Sequence, residues 1–177
     1  FSAGPGDLVI LPGDKPGEWS AALGVSATRS IWDLAPAAQK LPEGTYRLFG
    51  ATPGVSTFGW MMAHYRFDKF LSSAEIVGDR ILLTSEPGSV ADLARQAEAT
   101  AIVRDLVNMP AADFGPAEIE TTVEALAREF DAKLSVTKGD ELEAGYPMIQ
   151  AVGQAAEKHR APRLIELVWG NPEHPRV

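Results

Sequence analysis

The stretch SVADLARQAEATAIVRDLVNMP, Ser89 to Pro110, decides how the rest of the chain is read. Its apolar positions Val90, Leu93, Ala94, Ala97, Ala101, Ile102 and Leu106 recur at the spacing of one helix face, and neither Gly nor Pro interrupts them up to Asn108. Ser89 followed three residues later by Asp92 has the form of a capping box, with the acid at the positive end of the helix. Pro110 stops the run, because the residue before a proline is pushed out of helical geometry. The pattern therefore predicts one continuous helix over 89–108, about 30 Å long.

Downstream, Gly115-Pro116 opens a second helix, with Pro at the first helical position and Glu118 in the first turn. Ile119, Val123, Leu126, Ala127 and Phe130 form its buried stripe. Residues 133–137 alternate as a strand, 140–144 and 146–156 read as short helices, and 163–169 as a strand ended by Gly170-Asn171-Pro172. This helix–strand–helix–strand order predicts an α/β layer around a largely parallel sheet. A last strand at 163–169 leaves an apolar edge uncovered, so the chain is expected to be a fragment of a longer one.

Upstream, Asp7 to Leu11 reads as a strand turning at Pro12-Gly13, Thr45 to Phe49 as a strand between two glycines, and Arg80 to Thr84 as another. Val55 to Phe70 carries apolar residues at near-helical spacing and predicts a helix. Residues 14–43 show no element beyond one or two short helices.

Composition narrows the classes. Hydrophobic residues make up 45% of the 177-residue chain and charged ones 23%, the balance of a globular protein. The net charge of −8 disfavours phosphate backbones, so no nucleic-acid partner is expected. No apolar run reaches the ~18 residues of a membrane span, and the opening residues have neither a basic n-region nor an apolar h-region. Phe1 in place of an initiator Met leaves room for residues upstream. The absence of cysteine removes disulfides, thiolate nucleophiles and Cys-based zinc sites, and suits a cytoplasmic location.

Residue chemistry alone names no reaction. His64, His159 and His174 share no metal-ligand spacing. Asp113, Glu118 and Glu120 cluster at a helix start, as do Asp140, Glu141 and Glu143; both groups read as solvated faces complementing a helix dipole. Neither Gly-x-Ser-x-Gly, Walker A nor Gly-x-Gly-x-x-Gly occurs, and Gly4-Pro5-Gly6 precedes a strand instead of following one. The expected set of catalytic, cofactor-binding and metal-binding residues within this chain is therefore empty.

The run Arg104-Asp105-Leu106-Val107-Asn108-Met109-Pro110-Ala111-Ala112-Asp113-Phe114-Gly115-Pro116 closely resembles the Arg-Asp-Leu-x-Asn-x-Pro-x-Asn segment of the leucyl (cytosol) aminopeptidases. Tyr65-Arg66-Phe67-Asp68-Lys69-Phe70 resembles that family's Tyr-x-Phe-x-x-Tyr/Phe segment, placed on the helix before the last N-terminal strand. Ala161-Pro162-Arg163 and the apolar strand after it resemble the one preceding the family's metal-binding strand, and Gly153-Gln154-Ala155 matches a Gly-x-Ala/Gly pattern. The resemblance runs from about Phe58 to Gly170. Met109 and Ala112 depart from it, standing where family members usually have Thr and Asn; loss of that Asn places the hydrogen bonding of the loop in question.

What the resemblance implies is α/β throughout: a small macro-domain-like N-terminal domain at 1–88, a linking helix at 89–108, and at 109–177 the incomplete start of an aminopeptidase-like catalytic domain. It implies a hydrolase releasing N-terminal residues from peptides with two divalent metals, manganese or zinc. The lysine and carboxylates that bind them lie downstream of the strand at 163–169, so no metal is expected on this segment. The segment itself would serve assembly of a homo-hexamer and access to its interior. The alternatives from other classes are a stand-alone macro-like module for a nucleotide-type ligand and a scaffold without ligand.

Overall fold

A computed structural model describes residues 4–73 and 77–175. Two compact units divide between Asn108 and Met109.

The first unit begins with an antiparallel hairpin, β1 (Leu8–Pro12) and β2 (Trp19–Leu23), in register from Leu8 opposite Leu23 to Pro12 opposite Trp19. Residues 14–43 therefore hold a strand that the sequence reading did not place. Trp-Ser-Ala-Ala-Leu carries no β-branched residue, so its strand character comes from pairing and not from propensity. The helix α1 (Ala35–Lys40) follows. The strands β3 (Gly44–Arg47) and β4 (Arg80–Leu83) then pair in parallel, with α2 (Thr57–Met62) in the crossover between them.

The helix expected over 55–70 is shorter. A single 3-10 turn at Gly54–Ser56 leads into α2, which ends at Met62, and Tyr65 to Phe70 lie beyond it, outside any helix. Gly59 explains why α2 sits where it does. Its amide donates to the Ile31 carbonyl at 3.0 Å, and a Cβ there would stand 2.9 Å from the Trp32 Cα. Only glycine permits that approach of two backbones. Leu34, Ala37, Ala38, Leu41, Trp60 and Ala63 form the buried cluster, with Leu8, Leu23, Tyr46 and Leu82 packed around it.

The long helix α3 runs unbroken from Pro87 to Asn108. It begins two residues before the expected capping box, with Pro87 at its first position. Asp92 consequently lies inside the helix and pairs with Arg95. Val90, Leu93, Ala94, Ala97, Ala101 and Leu106 form the covered face, whereas Ile102 is exposed.

In the second unit, α4 (Pro116–Glu129) starts at Gly115-Pro116, and Glu118 accepts a hydrogen bond from the Gly115 amide at 2.8 Å. It ends with Asp131 in the left-handed region (φ 50°), and the Ala132 amide reaches back to the Ala127 carbonyl at 2.8 Å. That is a Schellman-type stop, formed with an aspartate in the place glycine usually fills. Val123, Leu126 and Ala127 are covered, while Ile119 and Phe130 are exposed. Then come β5 (Lys133–Lys138), α5 (Asp140–Gly145), α6 (Pro147–Gly153) and β6 (Arg163–Val168).

The strands β5 and β6 are antiparallel, Lys133 opposite Val168 and Lys138 opposite Arg163. The expected largely parallel sheet is thus corrected: among the described residues one pair is parallel and two are antiparallel. Length does not decide it, since β3 and β4 pair in parallel across α2, a helix no longer than α6, and the connection from Gly139 to Pro162 is long enough for either direction. Direction depends on which edges meet, and the apolar pattern of a single strand carries no signal of it. Leu167, Val168 and Trp169, at the end of β6, are 43%, 64% and 72% exposed, as expected for a strand whose apolar edge is uncovered.

Candidate functional site

Tyr65 and the 104–116 run, which carried part of the sequence resemblance, take part in two hydrogen-bonded knots, one in each unit. In the first, the Tyr65 hydroxyl donates to Asp105 Oδ1 at 2.8 Å and accepts from Asn108 Nδ2 at 3.1 Å. The Arg104 guanidinium lies 5.4 Å from the centre of the Tyr65 ring, a cation–π distance. Desolvation and the neighbouring Asp105 both raise the Tyr65 pKa. Three residues of the 104–108 run thus grip one tyrosine, fastening the last turn of α3 to the loop after α2.

In the second unit, the loop 110–115 is held from two sides. The Asp113 and Phe114 amides donate to the Pro110 carbonyl at 2.9 and 3.0 Å, closing a turn. The Arg160 guanidinium donates to the carbonyls of both Ala111 and Ala112. Glu118 holds the Gly115 amide, and the hydrogen bonds from its own and the Gly115 backbone amides keep its carboxyl below the ordinary range. The question raised by alanine at position 112 is answered here. The loop backbone finds its partners through an arginine 48 residues away in the chain.

Beside this loop lies an ion cluster. Arg163 and Lys138 both donate to Glu120, Lys138 at 3.1 Å, and the side chains of Glu120 and Arg163 are 13% and 9% exposed. Burial pushes the Glu120 pKa up, but the hydrogen bonds and charges of Lys138 and Arg163 outweigh it, and the carboxyl sits below its ordinary value. Reading Glu120 as part of a solvated helix start is therefore corrected. It faces inward because β5 and β6 bring two cations against it, and positions 138 and 163 are too far from 120 in sequence for spacing to reveal the contact.

The other candidates do not converge. His64 Nδ1 meets the Trp60 carbonyl at 2.8 Å just past α2, and His159 Nδ1 lies 3.3 Å from Glu157 on the surface. The His174 amide donates to the Asn171 carbonyl at 3.0 Å in a turn. Asp113 is exposed, and Asp140, Glu141 and Glu143 lie in the first turn of α5. Gly4-Pro5-Gly6 forms a turn in which Asp7 takes the Gly4 amide at 2.9 Å. Among the described residues no three of His, Asp and Glu come together to hold a metal ion.

Two clefts are notable. One of about 1110 Å³ in the first unit lies between the β1–β2 hairpin and β3 and is lined by Leu23, Tyr46, Leu48, Trp60 and Leu82. One of about 660 Å³ in the second lies over Ile119, Met148, Val152, Pro162 and Ile165. Both are mainly apolar. No described helix is long and apolar enough to cross a membrane.

Comparison with known proteins matches this geometry to one group. Residues 1–82 match the family model described as the M17 aminopeptidase N-terminal domain, and residues 101–177 match the catalytic domain of the cytosol aminopeptidase family. A probable cytosol aminopeptidase of Leifsonia xyli subsp. xyli is 31% identical over 96% of this chain and 38% of its own length. A cytosol aminopeptidase structure from Coxiella burnetii superposes with a TM-score of 0.85 at 26% identity, covering 99% of this chain and 38% of that one. The bottromycin maturation enzyme BotP in complex with Mn superposes with a TM-score of 0.78 at 26% identity, over 97% of this chain and 41% of that one. The chain thus spans about two fifths of the length of these relatives, corresponding to their N-terminal domain and part of their catalytic domain.

Proposed function

The chain belongs to the cytosol aminopeptidase family, and from that premise we propose that it is the front part of a metal-dependent enzyme that releases N-terminal residues from peptides. In this reading the segment serves assembly and access, and the longer protein supplies the chemistry. The division of labour follows the residue ranges 1–88 for a non-catalytic domain, 89–108 for the linking helix and 109–177 for the first elements of the catalytic domain. Peptides are its substrates, a homo-hexamer its assembly, and the cytoplasm its place.

The observation that carries this reading is the use to which the family-like residues are put. Tyr65, Asp105 and Asn108 are spent on one another and Arg163 on Glu120, while the carbonyls of Ala111 and Ala112 in the 104–116 run are taken by Arg160. The residues described here do not fit a pair of divalent metals: they offer no converging set of carboxylate or imidazole donors. Such ions would polarise a peptide carbonyl and activate water, and their ligands belong elsewhere in the longer protein. What these residues do instead is hold a helix end, a loop and a strand pair in fixed register.

Calorimetry with Mn²⁺ and Zn²⁺ on the 177-residue chain, beside hydrolysis of a leucine chromogenic amide, tests the proposal. The isolated chain should neither bind these ions tightly nor turn over substrate, while a longer protein containing it should do both. Metal-dependent turnover by the 177-residue chain would overturn the reading.

A further inference from the structure

The cleft of about 1110 Å³ in the first unit is walled by consecutive residues, Gly17 to Leu23 through β2 on one side and Thr45 to Phe49 from β3 on the other. A strand seen from its face shows every second residue, whereas one seen from its edge shows them all. Two strand edges therefore look into this cleft. Each is paired on its far side only, β2 with β1 and β3 with β4. Among the described residues no other backbone bonds residues 19–23 or 45–47. The floor of the cleft is the core itself, Leu34, Ala37, Leu41 and Trp60. Leu8 and Leu23 of the hairpin pack on that cluster, and so do Tyr46 and Leu82 of the parallel pair. The two pairs thus lie on one helical layer as pieces of a single sheet, with a strand's place between them. We propose that this place is taken by one strand of the same longer polypeptide, from outside residues 1–177, hydrogen-bonded to β2 and β3 at once.

Geometry selects that occupant. The slot runs along the five residues of β2, about 17 Å. Residues 1–3 and 74–76 are too few to fill it, at about 3.3 Å each. A strand bonded on both sides must arrive with both edges unpaired. Every described strand of this chain already has one edge paired, so a second copy has none to give. The relatives are longer, this chain covering 38% of one and 41% of another, so a longer protein has strands to supply. The chemistry of the occupant follows from what it meets. Alternate residues face Leu34, Leu41 and Trp60 and are apolar. Those between them lie on the outer face, where Ile81 and Leu83 are exposed, and are apolar as well, the pattern of a strand in the middle of a sheet. The inference rests on the chain being part of a longer protein and not on the reaction assigned to it.

Amide hydrogen exchange on the 177-residue chain and on the longer protein that contains it tests the proposal. In the 177-residue chain, the amides of 19–23 and 45–47 turned away from β1 and β4 should exchange fast, as on any open edge. In the longer protein the same amides should slow by about hundredfold or more, since each then has a strand partner. The longer protein also gives a reading by itself. With a strand in the slot, successive amides of 20–22 and 45–47 are all slow; fast amides at every second position mean open edges and overturn the proposal. Slowing on β2 or β3 alone overturns it too, because the occupant must bond both. Protection already present in the 177-residue chain and rising with its concentration would assign the slot to a second copy instead. Exchange reads strand pairing and not turnover, so failure here leaves the aminopeptidase reading standing.

Discussion

In the first unit, Leu34, Leu41 and Trp60 are 5–6% exposed within one apolar cluster, and two aromatic rings, Trp19 and Trp60, stand edge-on to Tyr46 at 6.0 and 6.1 Å. In the second, Leu142 is the one described side chain under 2% exposure, Ala127 the other well-buried apolar residue, and Glu120 and Arg163 face one another between helix and strands. The difference teaches where each unit is vulnerable. Apolar clusters are non-directional and tolerate changes of conformation but not loss of volume. Ion clusters tolerate little change of geometry, and they respond to pH.

The comparison breaks most readily at Trp60. Its replacement by alanine removes the largest side chain of the first cluster and should cost about 3–5 kcal/mol, measured by denaturant unfolding followed at residues of the first unit. A loss under about 1 kcal/mol, within the range of ordinary surface changes, would mean that the cluster does not hold this unit. Leu142→Ala should be felt almost as strongly, at about 3 kcal/mol, and should appear as faster amide exchange in α5 and β5. A large effect there would show that the small core of the second unit is well packed.

The ion cluster gives the next effect. Arg163→Ala leaves Glu120 with Lys138 alone and should cost about 1–3 kcal/mol at neutral pH. The sign of the pH dependence follows from the carboxyl itself. The folded pKa of Glu120 lies below its ordinary value of 4.5, so its contribution is complete above that value and is lost as pH falls through the folded pKa. Glu120→Gln should flatten this acid limb, seen as a smaller loss of melting temperature below about pH 4.5 than in the parent chain. An unchanged acid limb would assign the pH sensitivity to other carboxylates, such as Asp33, whose pKa is lowered first by the Ser30 amide. The smallest effect belongs to Pro116→Ala. Pro116 occupies the first turn of α4, where no amide is required, so the change should stay below about 1 kcal/mol in thermal melts.

Elements with a strong local signal were legible without coordinates. The unbroken period of 90–106 marks α3, and Gly115-Pro116 marks the start of α4. The alternation of Leu134 and Val136 marks β5, and the apolar run from Leu164 marks β6. Local signal failed where pairing or a neighbouring backbone decided. β2 is a strand because β1 lies beside it. α2 stops at Met62 although Tyr65 and Phe67 continue the apolar spacing, and Tyr65, beyond its end, bonds Asp105 and Asn108 instead. The resemblance of the 104–116 run was visible in the residues, but its use was not, since Tyr65 and Arg160 lie 40 or more positions from their partners.

The amino-acid sequence by itself determined the α/β class, the long helix and the family, because periodicity, proline placement and short ordered motifs are properties of neighbouring residues. Only the tertiary structure decided strand direction, the inward turn of Glu120 and the two hydrogen-bonded knots made by Tyr65 and Arg160. Those depend on which distant segments meet, and hydrogen bonds and ion pairs form wherever geometry brings a donor to an acceptor, whatever their separation along the chain.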